Sequence, residues 1–364
     1  MASQDLPDLG TGSHPVGRAR AIPFAGGRYG LVREIGRGGT SVVHLARDNR
    51  SGLWVAIKVL APKFAVREDL RQRFRRECEA MSQIVHPAVL RVMTWGITDG
   101  SMFLVTEFAP GGSIGSWVRR HGPMSPRRAV DVTRQVCLGV SAAHQIGVVH
   151  RDVKPDNVLI GADGRVRVCD FGIAQVRAMD ERPLTRTGTS IGTFGFMAPE
   201  QGDHARDVDL RADVYSIAAT LWFLLRGAVP PYAFRTDPFE DEIPGPLCPI
   251  LARATHFSRE QRHADLQTLH DDLAAVQERL PADPADAPPL ITEAAARIDL
   301  QTVPSRSGAS DEPEPTWLDY ETGDGEGSST EISGLSPELD GVPDPSATPT
   351  AVGAPARARG PRRD

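Results

Sequence analysis

His150-Arg151-Asp152-Val153-Lys154-Pro155-Asp156-Asn157, followed thirteen residues later by Asp170-Phe171-Gly172, is the stretch that decides the reading of this chain. Its residue types suit one kind of chemistry. The Asp152 carboxylate can orient a hydroxyl group and take its proton. Lys154, two residues on, can reach a charged group in transit. Asn157 and Asp170 are hard oxygen donors of the kind that hold Mg2+. A charged turn beside an Asp-Phe-Gly loop is the plain alternative, so the reading needs partners elsewhere in the chain.

Two such partners lie upstream. Gly36-Arg37-Gly38-Gly39-Thr40-Ser41-Val42-Val43 places glycines between two strand-like runs, where backbone N–H groups can close over phosphate oxygens because no Cβ intervenes. A dinucleotide-binding loop would open a helix and want an acidic residue about 20 positions on. Here the loop opens a strand, and Lys58 lies 22 residues after Gly36. Lys58 of Val55-Ala56-Ile57-Lys58 lies inside an apolar strand-like run, where an ammonium group needs a partner charge. Glu77, 19 residues on, offers it, and such a pair would hold a cation against nucleotide phosphates.

The rest of the chain fits a globular body with loose ends. From Tyr29 onward, short β-branched runs separated by Gly-rich or Asn-Arg-Ser-Gly turns predict an antiparallel meander, with further strands at 89–95 and 102–108. Between 67 and 85 the period becomes helical, with Leu70, Phe74, Cys78 and Met81 on one face. Helices are predicted at 127–146, stopped by Gly147, at 212–226, stopped by Gly227, and at 264–279. The helix at 212–226 is apolar on nearly every side, too short to span a membrane, and is therefore expected at the centre of the core. Thirty-five glycines and thirty prolines are too many for one compact fold of 364 residues, so part of the chain is expected to be unpacked. Residues 1–27 read as a flexible head. Residues 281–364 carry sixteen acidic and six basic residues and read as a disordered tail, with two small islands at 293–298 and 316–320. A mildly basic body with an acidic tail is not a nucleic-acid signature and suits a body that handles phosphates. No run of 18 apolar residues predicts a membrane span, no secretory signal opens the chain, and four scattered cysteines suit a reducing, cytoplasmic setting.

With these motifs in register, residues 27–280 resemble the eukaryotic-type serine/threonine protein kinases, in particular their bacterial branch. The resemblance implies an α+β, two-lobed protein kinase fold. Its N-lobe (28–108) is a small antiparallel sheet with one helix, and its C-lobe (111–280) is mainly helical. It implies ATP and Mg2+ as cofactors and protein Ser or Thr hydroxyls as acceptors. Asp152 would be the catalytic base, with Lys154, Lys58 and Glu77 completing the catalytic set, and Asn157 and Asp170 the metal ligands. Ile35, Gly36, Arg37, Gly38, Gly39, Thr40, Ser41, Val42 and Val43 would cover ATP. Ala56 and Leu159 would sandwich the base, Thr106 would stand at the back of the pocket, and Glu107 and Ala109 would form the hinge. Met81, Val92, His150 and Phe171 resemble the apolar spine between the lobes, and Glu200 with Arg262 the buried ion pair of the C-lobe. Ala198-Pro199-Glu200 and Asp213-Val214-Tyr215-Ser216 match the family pattern. Lys154 after the base and Gly192-Thr193 resemble serine/threonine specificity.

By the same resemblance, Thr185 and Thr187 stand where the bacterial branch carries an activating phosphorylated pair, with Arg151 as phosphate receptor. Two departures stand out. Ser41 replaces the third glycine of the loop, and residues 233–247 are short and proline-rich where the family carries a longer helical docking segment. Cys169, beside Asp170, reads as a small core residue more readily than as a redox sensor. The expected partners are ATP and protein substrates, with Trp317 a candidate anchor by which the acidic tail meets a partner. The competing readings are a pseudokinase scaffold, which predicts loss of Lys58, Asp152, Asn157 or Asp170, and a small-molecule phosphotransferase, which predicts loss of the Ala198-Pro199-Glu200 segment.

Overall fold

The computed structural model describes residues 21–171, 194–203, 208–231, 243–293, 295–296 and 317–320. Strand β1 (Ile22–Phe24) pairs antiparallel with β2 (Tyr29–Arg37) through a turn in which Ala25, Gly26 and Gly27 all have positive φ. The ordered sheet therefore begins within the head expected to be flexible. β2, β3 (Ser41–Asp48) and β4 (Trp54–Leu60) form the predicted antiparallel meander.

Period-two alternation in β4 sets the geometry of the cleft. Val55 and Ile57 go to a small cluster with Tyr29, Ala46, Phe103 and Val105 on one face. Ala56 and Lys58 are left on the other. Two helices follow, α1 (Pro62–Ala65) and α2 (Glu68–Ser82). The buried residues of α2 are Leu70, Phe74, Cys78 and Met81, the stripe its 3.6-residue period predicts. β5 (Val92–Thr98) and β6 (Ser101–Glu107) complete the lobe, with β6 between β4 and β5. The one parallel pair among the described strands lies outside β5, against β9 (Trp317–Tyr320) from the tail.

After the hinge come α3 (Ile114–His121), capped by the Ser113 hydroxyl, and α4 (Pro126–His144), closed by Gly147 at φ 77°. The short pair β7 (Val158–Ile160) and β8 (Val166–Val168) follows, then α5 (Glu200–Asp203) and α6 (Arg211–Arg226). Every residue of α6 from Ala212 to Leu224 is buried, and Gly227 ends it in the left-handed conformation. α7 (Cys248–Ala254) and α8 (Leu266–Gln277) close the lobe. Among the described residues no helix is long and apolar enough to cross a membrane.

The chain does not leave the body at residue 281. Asp283 accepts from the Ser125 hydroxyl and pairs with Arg128 at 3.5 Å. Arg128 also donates to the carbonyl of Pro288, and Trp117 Nε1 donates to that of Pro289 at 3.0 Å. Leu290 and Ile291 pack against the core. Prolines lack an N–H, so this strap needs only donors from α3 and α4. Ending the chain at Leu280 is expected to cost about 2–3 kcal/mol from lost hydrogen bonds and apolar burial. That lowers the thermal midpoint by about 5–10 °C. Because that ending also removes Trp317–Tyr320, a midpoint equal to that of the full chain would show that neither the strap nor β9 contributes.

Candidate active site

The site sits between the lobes, where a cavity of about 800 Å3 is lined by residues of both. Ile35, Gly36, Val43 and Ala56 form its upper wall, Thr106, Glu107 and Ala109 its hinge side, and Leu159 its lower face. Lys58 and Asp170 face each other at its inner end. Of the residues expected around ATP, Arg37, Gly38, Gly39, Thr40, Ser41 and Val42 do not line the cavity. The Gly-rich tip is held in its own turn, Gly38 N donating to Ser41 O at 2.9 Å. None of Gly36, Gly38 and Gly39 has a positive φ, so their glycine identity serves open space above the cleft rather than backbone strain. Sequence reasoning did not single out Leu104, at the back of the cavity, or Arg33, Arg119 and Arg120, which also line it.

The loop before β7 gathers the catalytic candidates. Lys154 Nζ donates to both oxygens of Asp152, at 3.0 and 2.8 Å. Asn157 Nδ2 donates to the backbone carbonyl of Asp152 at 2.7 Å and to its Oδ2 at 3.1 Å. The backbone N–H of Cys169 binds the carbonyl of Asn157 at 2.9 Å, which ties the strand that delivers Asp170 to this loop. His150 Nε2 meets the carbonyl of Cys169 at 2.9 Å, and its ring lies 4.5 Å from that of Phe171. Met81, Val92, His150 and Phe171 are all buried, as expected of a spine. Arg151 and Asp170 hold φ of 67° and 65°, left-handed values that bulky residues adopt only where the surroundings impose them.

Asp213, at the start of α6, imposes one of them. Fully buried, it accepts from the backbone N–H groups of His150 and Arg151 at 2.8 Å each and meets His144 Nε2 at 2.8 Å. Its anchoring role was not assigned from sequence, although the Asp213-Val214-Tyr215-Ser216 match marked the position. Glu200 and Arg262 form the expected ion pair, and it is bidentate, at 2.7 and 2.8 Å, with Arg262 over the Tyr215 ring. Thr185, Thr187, Gly172, Gly192, Thr193 and residues 232–242 of the shortened segment lie outside the described residues.

The expected Lys58–Glu77 pair is not formed. Lys58 Nζ donates to Asp170 Oδ1 at 2.7 Å, while Glu77 is mostly buried and its Oε2 has no hydrogen-bond partner. The pairing depends on where the whole of α2 sits against the sheet, which residue spacing does not encode. Burial pushes the Glu77 carboxyl up to about 8, outweighing the opposing charges of Arg73 and Arg151. In the unfolded chain this carboxyl ionises near the ordinary glutamate value, while the folded one keeps its proton. The folded state therefore loses stability as pH rises from about 4.5 to about 8. Glu77→Gln is expected to match the parent's thermal midpoint at the acid end of that window and to exceed it increasingly towards the alkaline end. A constant difference across the window would refute the buried, protonated carboxyl. Burial, followed by the Asp170 charge, also raises the Cys169 thiol well above its ordinary value, which argues against a reactive thiolate there.

A two-lobed body with an ammonium and a carboxylate facing each other in its cleft, and a second carboxylate and a carboxamide on a loop tied to the same strand, has the make-up of a protein kinase domain. The family model of that description matches residues 29–270, and the chain belongs to this family. It is 38% identical over 225 residues to the serine/threonine-protein kinase PknD of Mycobacterium tuberculosis (strain CDC 1551 / Oshkosh), covering 60% of this chain and 33% of that protein. It is 34% identical over 287 residues to PknB of Mycobacterium tuberculosis (strain ATCC 25618 / H37Rv), covering 73% of this chain and 45% of that protein. Among solved structures, the M. tuberculosis PknI kinase domain matches with a TM-score of 0.57 at 28% identity, covering 72% of this chain and 99% of that one. The chain thus spans less than half the length of these two curated relatives.

Proposed function

We propose that this chain transfers the γ-phosphoryl group of ATP to serine or threonine hydroxyls of proteins. The observation that carries the reading is the facing of Lys58 and Asp170 in the cleft between the lobes, with the Asp152–Lys154–Asn157 cluster tied to the strand that delivers Asp170 by the Cys169–Asn157 backbone bond. The donor set fits the group. Ala56 and Leu159 give apolar walls for a planar base, Lys58 a fixed positive charge, and Asp170 with Asn157 hard oxygen donors for Mg2+. When bound, Mg2+ would neutralise charge on the phosphates.

Asp152 orients the acceptor hydroxyl and takes its proton as the new O–P bond forms and the bond to the departing ADP oxygen breaks. Lys154, now on the Asp152 carboxylate, would pair with the charge of a phosphoryl group in transit. Lys58 must exchange Asp170 for phosphate oxygens, and the charge it then shares is what an ionised Glu77 would balance. Phosphorylation of Thr185 or Thr187 would add roughly −1.5 to −2 charge, for which Arg151 is the proposed receptor. The experiment is incubation of the purified chain with Mg-ATP and a generic basic protein, followed by mass spectrometric mapping of phosphate on both. Phosphoserine or phosphothreonine on the acceptor, and on residues 170–200 of the chain itself, is expected. An acceptor without phosphate overturns the reading, and a phosphate-free segment overturns only the autophosphorylation.

A further inference from the structure

The tail strand β9 is a part of the molecule that phosphoryl transfer does not use. β5 is the last strand contributed by the N-lobe, and an open edge presents unpaired N–H and C=O groups to any extended chain. Gly96 in the middle of β5 weakens the strand further, because glycine loses the most backbone freedom on ordering. Here the edge is filled. Trp317, Leu318, Asp319 and Tyr320 run parallel to β5 opposite Trp95, Gly96, Ile97 and Thr98. These four residues form a compact strand-like island in a tail otherwise dominated by proline, glycine, serine and acidic residues.

Charge favours this placement. Residues 311–326 contain seven acidic residues and no basic one, whereas residues 21–108 contain thirteen basic and eight acidic ones. A short acidic segment is therefore drawn to this lobe before any strand hydrogen bond forms. The face of β5 packs on α2, the helix that carries Glu77, so whatever occupies the edge bears on the layer that sets the Lys58 pairing.

We propose that the outer edge of β5 is a peptide-docking edge for an extended segment with acidic flanks, that its resident occupant is this chain's own Trp317–Tyr320, and that seating it steadies β5 and α2. This is strand addition, in which backbone pairing supplies the attraction and the flanking charges supply selectivity.

The test uses the full chain. Leu318→Pro/Asp319→Pro removes the N–H facing β5 whichever of the two residues presents it, and leaves the body untouched. Amide hydrogen exchange at residues 95–98 is expected to be about tenfold or more faster in this variant than in the parent, with a smaller rise across α2. A synthetic peptide of residues 311–324 should bind the variant and restore slow exchange, should fail to bind the parent, and should weaken as salt is raised. Asp319→Lys/Glu321→Lys, which keeps every backbone N–H, should show an intermediate acceleration. Equal exchange at residues 95–98 in parent and variants would overturn the proposal. So would slow exchange in the parent that disappears on dilution together with a dimer seen by light scattering, since the occupant would then come from a second copy.

Discussion

Replacing Asp152 by asparagine is expected to lower phosphoryl transfer by about 10²–10⁴-fold while ATP still binds. The two effects separate because of where Asp152 lies. It does not line the cavity that the nucleotide would fill, whereas Lys58 and Asp170 do. It is held by Lys154 at 2.8 Å and by Asn157 at 3.1 Å, in a group of three side chains that can act on an incoming hydroxyl. Asparagine keeps the shape and one acceptor oxygen, so the loop keeps its course. What it loses is a basic oxygen able to take a proton, and the anion that steadies Lys154. Turnover measured as phosphopeptide formed per unit time should fall, with the dissociation constant of a fluorescent ATP analogue and the thermal midpoint unchanged. Near-parental turnover would refute Asp152 as the base. A parallel loss of nucleotide binding would mean that the carboxylate holds the cleft together and has no separate chemical role.

Where the sequence could be read, the physics is local. The α2 stripe of Leu70, Phe74, Cys78 and Met81 follows from a 3.6-residue period, and the same four residues are buried. Ala56 and Lys58 reach the cleft because alternate residues of a strand share a face. Glycines at 147 and 227 stop their helices because each adopts a left-handed φ there. Where the reading fell short, the determinant is tertiary. Lys58 and Glu77 have the expected spacing, yet their pairing is decided by the position of α2 as a body and by the competing carboxylate of Asp170. The strap at 281–293 has the composition of a disordered tail. It is held by proline carbonyls and two aliphatic side chains, and the donors on Trp117 and Arg128 have no signature near it in the chain. The parallel pairing of β9 with β5 joins residues more than two hundred positions apart, a distance over which local pattern says nothing.

Asp213→Ala should cost both stability and turnover, unlike Asp152→Asn, which should cost turnover alone. The Asp213 carboxylate is completely buried in the first turn of α6, where the helix dipole favours negative charge. Three groups point at it: the backbone N–H of His150, that of Arg151, and His144 Nε2, each at 2.8 Å. Alanine leaves all three without this partner, the His150 N–H in a fully buried place, and each orphaned donor costs up to about 1–3 kcal/mol before relaxation. It also frees Arg151, whose left-handed φ of 67° is a strained value that the Asp213 contact helps to hold. The net loss is expected at about 3–5 kcal/mol, lowering the thermal midpoint by about 10 °C or more. Because Asp152 follows Arg151 directly, a shift of the loop by about 1 Å would by itself lower turnover about 10²-fold. Asp213→Asn separates position from charge. Its single amide oxygen can still accept from one N–H, but its NH2 group meets the other donor head on, so its midpoint and turnover should fall between those of the alanine variant and the parent. An alanine variant with parental midpoint and turnover would show that α6 does not anchor the catalytic loop. If only stability fell, Arg151 and Asp152 would be held by the ties to Gln201 and Asn157 instead.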